Sequence, residues 1–301
     1  MSKQAIPTAH PLVEVFGFPV NNFSGEAKRF RDKRLCPFNN RVPNCTKDKA
    51  NDPLGTCSIL SDTGISITCP IRFRQDWMVV DDAAGFFFNS NTNWTSLTEV
   101  KLKDKHGQSA GTIDIVLVAY DNLGCIVDFG ALEIQAVYIS GNIRNPFSYY
   151  IKDPENNAQM DWSKQTYYPR PDFLSSSRKR LAPQLMFKGG ILKAWRKKLA
   201  VALDSAFFET LPKLEEVNKE NAEIAWLIYN INYNSTSNKF DLELNRVVYA
   251  KFEQALDKIT KSEAGDMKDF INTLQAKLDE RLENKPDAPL LEDFTQMDVS
   301  K

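Results

Sequence analysis

Histidine is nearly absent from this sequence, which contains only His10 and His106 among its 301 residues. A Ser-His-Asp or Cys-His catalytic arrangement, or a zinc site rich in histidine, would have to use one of these two side chains. The glycine-rich phosphate loops of nucleotide-binding proteins are missing too, and so is the G-x-S-x-G turn of many hydrolases. The residues left to carry chemistry are carboxylates and cysteines.

Long apolar runs are also missing. No stretch approaches the 18 residues that a membrane-spanning helix needs, and the N-terminus has no apolar signal-peptide core. These features predict a cytosolic protein without a membrane partner. The net charge is only −1, so a nucleic-acid surface would have to be a local basic patch. Two such patches occur, at residues 26–49 and 170–198, although a run of charge is often only a solvated face.

Two apolar strands joined by a turn are predicted between Thr112 and Tyr138. Asp114 lies in the first strand, and Glu133 and Gln135 lie two residues apart on one face of the second. Burial of an unpaired carboxylate among apolar residues is costly, so a cationic partner is expected. Pairing of the strands would bring the three side chains to one sheet edge, where they can hold a divalent cation. An E-x-Q triplet also occurs by chance, which leaves an ordinary structural role open.

Glu99 has two interpretations. Residues 96–99 fit a helix-capping box, which would make Glu99 structural. Apolar residues and lysines alternate over residues 100–103, however, which favours a strand from about residue 99 paired with residues 112–120. This second interpretation places Glu99 near the sheet edge, at the far end from the turn at His106.

Four cysteines fall in a loop-like, proline-containing segment, separated by eight, eleven and eleven residues: Cys36, Cys45, Cys57 and Cys69. Disulfides are disfavoured in the cytosol, and four thiolates suit one tetrahedral zinc or iron ion. Such a site is structural by default, because no ligand position stays open. Four unrelated buried thiols are the alternative. The fifth cysteine, Cys125, is expected to be a thiol in the hydrophobic core.

Further elements follow from hydrophobic periodicity. We expect a strand from Ile71 with Arg72 and Arg74 on one face, and a helix over residues 191–211. The segment that follows Tyr138 is long, aromatic and poor in regular pattern. The remaining expectations are a short helix in residues 25–35, strands at residues 222–233 and 240–250, and amphipathic helices at residues 251–261 and 265–285.

A family resemblance runs through these features. FGFPVNNFSGEAKRFRDKRLCPFNNRVPNCTKDKANDPLGTC, at residues 16–57, is similar to the N-terminal part of the NotI-type restriction endonucleases. The similarity continues through ITCPIRFRQ and through the Glu99, Asp114 and Glu133-x-Gln135 region. It covers residues 16–145 and is closest to the shorter, EagI-like members.

The resemblance implies an α/β (α+β) fold with a PD-(D/E)xK nuclease core, a mixed sheet flanked by helices and an N-terminal four-cysteine loop region. Residues 1–80 are expected to form an arm and metal-binding DNA-recognition region, and residues 81–301 the catalytic domain with its C-terminal helices. A single compact unit is the alternative. Asp114 and Glu133 would bind Mg²⁺, Gln135 would replace the usual lysine, and Glu99 would be an additional acid. The four cysteines would hold one structural iron, with zinc as the alternative.

Double-stranded DNA is the implied substrate, cut at CGGCCG with 5′ overhangs by a homodimer in the bacterial cytoplasm. A DNA methyltransferase would act on the same site without forming a stable complex. Arginine suits guanine edges and phosphates. The candidate DNA-contacting residues are all basic: Arg41, Arg72, Arg74, Arg144, Arg170, Arg178, Lys179 and Arg180.

Two other functions stay open at this stage. One is a non-catalytic DNA-binding protein with a four-cysteine metal site. The other is a non-specific or repair nuclease with the same core.

Overall fold

The computed structural model describes residues 10–39, 42–49, 51–162 and 167–283. The described residues fall into two compact units, one up to Thr260 and one from Lys261 onwards. All of the sheets and both candidate sites belong to the first unit.

Six short strands open the chain. They are β1 Leu12–Val15, β2 Phe18–Pro19, β3 Asp48–Lys49, β4 Asp52–Pro53, β5 Thr56–Ser61 and β6 Gly64–Ile67. Four of them form an antiparallel sheet in the order β2-β1-β5-β6, and β3 and β4 form a separate hairpin. This first sheet is not isolated, because Val13 and Ile67 share a hydrophobic cluster with Ile115 and Leu117 of the central sheet. The hydrophobic core therefore continues across residue 80, where the sequence suggested a boundary.

Eight further strands follow in the described part of the chain. They are β7 Trp94–Lys103, β8 Ser109–Tyr120, β9 Ile126–Gln135, β10 Tyr138–Ser140, β11 Arg170–Asp172, β12 Leu199–Asp204, β13 Ile224–Asn234 and β14 Lys239–Ala250. Six of them form the central sheet in the order β14-β13-β12-β9-β8-β7. Strand β12 runs parallel to β9 and β13, and the other neighbours are antiparallel. The sheet is thus mixed, as expected.

Helices of the first unit flank this mixed sheet, and the last helix of the described residues lies in the second unit. The α-helices are α1 Gly25–Asp32, α2 Met78–Phe87, α3 Arg144–Lys152, α4 Pro154–Asn157, α5 Phe173–Ser176, α6 Ala182–Gln184, α7 Gly190–Ala194, α8 Ser205–Phe208, α9 Phe252–Thr260 and α10 Met267–Glu283. Two π-helical stretches, Ser177–Leu181 and Leu185–Gly189, join α5, α6 and α7 into one helical segment, residues 173–194. Among the described helices, none is long and apolar enough to cross a membrane.

Several sequence predictions are confirmed. The hairpin between Thr112 and Tyr138 is the β8–β9 pair, and the strand expected from about residue 99 is β7, which begins earlier, at Trp94. The strands β13 and β14 and the helices α1, α9 and α10 also lie where hydrophobic periodicity placed them. Alternation of apolar and polar residues therefore identified the exposed half of the sheet and the surface helices.

Four predictions are wrong. The helix expected over residues 191–211 ends at Ala194, and Leu199–Asp204 is the fully buried strand β12. A short run that is apolar on both faces does not distinguish a buried strand from a buried helix. The patternless segment after Tyr138 contains β10, α3, α4 and β11. Cys125 is exposed in the β8–β9 turn, not buried in the core.

The strand expected from Ile71 is also wrong, because Pro70–Trp77 is a 3₁₀ helix with a kink near its end. Neighbouring residues Arg72 and Phe73 are both fully buried, which breaks the alternation that a half-buried strand would show. The sequence suggested that Arg72 faces DNA, whereas its side chain is completely enclosed.

Arg72 makes a buried ion pair that joins three parts of the fold. Its Nε lies 3.0 Å from Oε1 of Glu14 on β1, and both side chains have 0% exposure. Its Nη2 donates to the carbonyl of Phe240 on β14 (2.8 Å), and Nη1 donates to Gln75 Oε1 (2.7 Å). The guanidinium also lies 4.3 Å from the ring centroid of Phe38. Arg72 is therefore a structural residue in this fold, and a guanidinium enclosed in this way does not reach a base edge.

We expect Arg72→Met to lower the free energy of unfolding by about 3–5 kcal/mol, because it leaves the Glu14 carboxylate buried without its partner. Arg246→Met is the matched control, since Arg246 pairs with Glu209 at the surface and its loss should cost less than about 1 kcal/mol. Urea unfolding of both variants measures the difference. Equal losses would show that the buried pair does not stabilise the fold.

Candidate active site and cysteine cluster

One acidic residue on each of three adjacent strands forms a row across the central sheet. The register between β8 and β9 pairs Ile115 with Leu132, and the next position places Asp114 opposite Glu133. On the other side of β8, the pairs flanking Glu99 place it opposite Asp114. The paired strands thus bring Asp114 and Glu133 to neighbouring positions. Glu99 lies in mid-strand on the edge strand β7, not at its far end.

Glu133 is the most enclosed member of this row, with 2% exposure. Burial raises the pKa of its carboxyl to about 8, and the nearby charge of Asp114 adds to that rise. Asp114 itself is anchored, because its Oδ2 accepts a hydrogen bond of 2.8 Å from the backbone N–H of Ile134. Glu133 Oε1 is buried and has no hydrogen-bond partner among the described residues. A buried carboxyl oxygen without a partner is costly, and a cation could satisfy it.

Gln135 lies two residues beyond Glu133 on the same face of β9 and is equally buried. Its Nε2 donates to the carbonyl of Ala136 (2.8 Å), which leaves the amide oxygen as the other polar atom of the side chain. That oxygen, Oε1, is buried without a partner in the described part of the chain. The site therefore contains two unsatisfied oxygens, one from Glu133 and one from Gln135.

Lys188 enters the site from outside the sheet. It lies in the π-helical stretch Leu185–Gly189, and its Nζ is 2.6 Å from Glu133 Oε2 and 2.9 Å from the carbonyl of Thr112. The sequence analysis placed Lys188 in the second basic patch but did not connect it with Glu133. The expected cationic partner of a buried carboxylate was the available signal, but it did not say which lysine or arginine would supply it.

Glu99 adopts an unusual backbone conformation, with φ of 58° in the middle of β7. Left-handed backbone is uncommon for residues other than glycine and costs of order 1–3 kcal/mol, so it persists where the surrounding structure enforces it. The exposed side chain of Glu99 makes it the member of the acidic row that is most open to solvent.

Together the acidic row and its unsatisfied oxygens form a hard oxygen donor set, which suits Mg²⁺. Magnesium is usually held by one or two carboxylates, with water and substrate phosphates completing its coordination. Asp114 and Glu133 meet this requirement. No set of three or more histidine, cysteine or acidic side chains within the described ranges is arranged to hold a metal ion by itself.

The four N-terminal cysteines gather at the first sheet. Cys57 lies on β5, and Cys69 immediately precedes the 3₁₀ helix that carries Arg72. Burial raises the pKa of the Cys36 thiol to about 12, and the proximity of the Cys69 and Cys45 thiols contributes to the rise. Burial likewise raises the pKa of Cys57, with contributions from the same neighbours and from Glu14. The thiols are thus near one another in space although they are far apart in sequence.

A transition metal is compatible with this cluster by donor chemistry. Four sulfur ligands select zinc or iron, and binding would require the thiolate forms, which burial disfavours unless a cation is close. The described cysteines form no disulfide, and no three of them are arranged at the distances of metal ligands. The fit rests on the kind and the proximity of the donors.

The predicted DNA-contacting residues occupy different environments. Arg41 lies outside the described residues. Arg74 is half-buried, with its guanidinium 5.9 Å from the ring centroid of Trp77. Arg144 is paired with Asp48 and Asp52 of the β3–β4 hairpin, at 2.8 Å from Asp52 Oδ2. Arg144 thereby stabilises the β3–β4 hairpin, which lies between Cys45 and Cys57 in the sequence.

Four of the predicted DNA-contacting residues are exposed: Arg170, Arg178, Lys179 and Arg180. Arg170 lies on β11, and the other three lie in the first π-helical stretch of segment 173–194. Arg180 is held in place, because its Nε donates to the hydroxyl of Tyr138 at 2.5 Å. Segment 173–194 therefore carries exposed cations near its start, and further along its Lys188 contacts Glu133 of the acidic row. This arrangement can hold a polyanion next to a carboxylate site.

A row of carboxylates beside an exposed basic segment is the combination expected of an enzyme that acts on nucleic acid. The family model described as Restriction endonuclease NotI matches residues 15–242, which is well over half of the chain. The chain therefore belongs to the NotI restriction endonuclease family, whose members are DNA-binding, site-specific nucleases. No curated protein matches the sequence.

The raised pKa of Glu133 predicts a pH dependence of stability in metal-free protein. A carboxyl whose pKa is raised on folding contributes stability below its unfolded pKa, near 4.5, and loses that contribution as the pH rises through about 8. We expect wild-type protein in EDTA to lose stability between pH 5 and pH 9 relative to Glu133→Gln, which cannot titrate there. Urea unfolding at several pH values measures this. Parallel profiles for the two proteins would contradict the raised pKa.

Proposed function

We propose that the chain is a type II restriction endonuclease that makes Mg²⁺-dependent double-strand cuts at a GC-rich palindrome. The observation that carries this proposal is the acidic row, in which Asp114 and Glu133 meet beside unsatisfied oxygens of Glu133 and Gln135. Membership of the NotI family supplies the reaction class. The mixed sheet, with its antiparallel β8–β9 hairpin next to the parallel strand β12, supports a PD-(D/E)xK core.

Each residue of the site has a definite role in this proposal. Asp114 and Glu133 hold the ion, and Glu99 is the additional ligand if a second ion binds. Mg²⁺ held by these residues would lower the pKa of a water molecule and would neutralise charge on the scissile phosphate. Gln135 has no titratable group near neutral pH, so it serves to orient the water or the ion through Oε1. Burial around Glu133 excludes bulk water and strengthens these interactions.

The proposed DNA surface is formed by the exposed basic residues of segment 173–194 and β11. Arg170, Arg178, Lys179 and Arg180 would contact phosphates, which would make binding strongly dependent on salt. Recognition of CGGCCG with 5′ overhangs is proposed from the resemblance to the EagI-like members. A site made only of G·C pairs offers guanine O6 and N7 acceptors to arginine at every step, and Arg41 and Arg74 are the candidate readers.

A homodimer is part of the proposal, because one active site per strand is the simplest way to cut a palindrome. Helix α10 has no buried residue, although apolar side chains recur along it at steps of three and four residues. The exposed apolar residues are Met267, Phe270, Ile271, Leu274, Leu278 and Leu282. An apolar face of this kind favours pairing with the same helix of a second copy.

The cysteine cluster is proposed to hold one structural iron ion, with zinc as the alternative, through Cys36, Cys45, Cys57 and Cys69. Buried, mutually close thiols next to the 3₁₀ helix of Arg72 support this assignment. Such a site would brace the first sheet and the β3–β4 hairpin, and it would take no part in the cleavage step.

Replacement of either carboxylate tests the nuclease function. We expect Asp114→Ala and Glu133→Ala to lower cleavage of CGGCCG-containing plasmid by more than ~100-fold, which exceeds the usual loss when only a supporting hydrogen bond is removed. Specific binding should remain measurable. Asp128→Ala is the matched control, because Asp128 lies on β9 with Glu133 but pairs with Lys197 (2.6 Å).

End sequencing of mixed-sequence plasmid digested with wild-type protein identifies the sequence that is cut. Tight binding without cleavage would indicate a non-catalytic DNA-binding protein, and random ends would indicate a non-specific nuclease.

Elemental analysis tests the cysteine site. We expect about one tightly held transition metal per chain in purified protein, since four thiolates would complete a tetrahedral site. Serine at Cys57 or Cys69 should release the metal and lower stability before it lowers the catalytic rate. Cys125→Ser is the control, because Cys125 is exposed in the β8–β9 turn. Metal-free protein with five titratable thiols would rule the site out.

A further inference from the structure

Lys188 is a buried cation in a place where the catalytic proposal assigns it no role. Its side chain is 6% exposed, and it contacts Glu133, whose side chain is 3% exposed. Two acceptors fix the ammonium, namely Glu133 Oε2 at 2.6 Å and the carbonyl of Thr112 at 2.9 Å. Both belong to the central sheet, whereas Lys188 comes from segment 173–194. A lysine is rarely buried without a partner, so this contact accounts for its position.

The backbone has an unusual conformation on both sides of the Lys188–Glu133 contact. Lys188 lies in a π-helical stretch, and insertions of this kind often occur at functional sites because they redirect side chains. Gly111 faces the stem of Lys188 with φ of 119°, and a Cβ at that position would lie 3.4 Å from Lys188 Cδ. That distance is ordinary van der Waals contact, so glycine is favoured there by its backbone conformation, which other residues rarely adopt, and not by the space that the lysine stem occupies.

Within the site, the ammonium satisfies only one of the two oxygens of Glu133. Oε2 accepts from Lys188, while Oε1 has no partner among the described residues. An anchored Oε2 fixes the plane of the carboxylate and leaves Oε1 to a second cation. Because Thr112 holds the same ammonium, Lys188 is tied to the sheet and is not simply filling the place of an ion.

We propose that Lys188 is a positioning residue, whose hydrogen bond to Oε2 orients the Glu133 carboxylate so that Oε1 can bind the divalent ion. This inference rests on the proposed nuclease site and adds to it a residue from a different element. Hydrogen bonds that orient a ligating side chain are typically worth 10–100-fold in metal affinity. Lys188 would therefore act on the ion through Glu133 rather than by contact with the reacting atoms.

Binding of Mn²⁺ to the full-length protein without DNA tests the proposal, with free Mn²⁺ followed by electron paramagnetic resonance. Glu133→Gln defines which Mn²⁺ binding depends on Glu133. We expect Lys188→Met to weaken that binding by about 10–100-fold. Lys188→Arg should restore most of it, because a guanidinium can donate to the same carboxylate. Lys193→Met is the control on segment 173–194, since Lys193 forms a partly exposed ion pair with Glu223 (2.8 Å) away from the acidic row and should leave Mn²⁺ binding unchanged.

Thermal unfolding of each variant verifies that it is folded, and Lys188→Gln replaces Lys188→Met if the latter does not fold. Wild-type affinity, or tighter binding, in folded Lys188→Met or Lys188→Gln would overturn the positioning role. If wild-type protein cleaves DNA and binds Mn²⁺ through Glu133 while these variants bind equally well, only the role of Lys188 fails. If wild-type protein shows no Mn²⁺ binding that depends on Glu133, the proposed metal site fails with it.

Discussion

The enclosed ion pair between Arg72 and Glu14 is the constraint on which the N-terminal half of the fold depends. Two charges removed from water must find each other and further partners, and here they do so through β1, the 3₁₀ helix and the carbonyl of Phe240 on β14. The pair holds the first sheet against the central one. Cys69 immediately precedes the 3₁₀ helix and Cys57 lies on the neighbouring strand, so the position of the cysteine cluster follows from the same constraint.

Much of the acidic row could be predicted from the sequence, because local pattern and pairing geometry determine it. Alternating residues and a turn identified the β8–β9 hairpin, and in an antiparallel pair the register then brings Asp114 and Glu133 together. The same reasoning located Glu99 on the adjacent strand. It could not give its left-handed backbone, since nothing in the residue type of a glutamate signals a positive φ.

The failures have a common physical origin in long-range burial. Leu199–Asp204 is buried on both faces only because β9 and β13 flank it, and its own composition fits a helix equally well. Arg72 and Lys188 carry charges that normally predict exposure, yet each is buried because a glutamate distant in sequence meets it. No spacing rule within one element reveals such a partner. The acidic residues in apolar strands predicted cationic partners, and only the fold identifies which lysine or arginine each one contacts.

The irregularity of β7 has a consequence for assembly. This strand is one edge of the central sheet, with a left-handed residue at Glu99, a register shift between Leu102 and Lys103, and exposed charges at Glu99, Lys101 and Lys103. An uneven, charged edge does not offer a continuous row of backbone groups to another strand. Two copies of the chain would therefore not join by extending this sheet through β7. The edge of the sheet at β7, next to the acidic row, therefore stays unpaired, and a DNA duplex could lie along it.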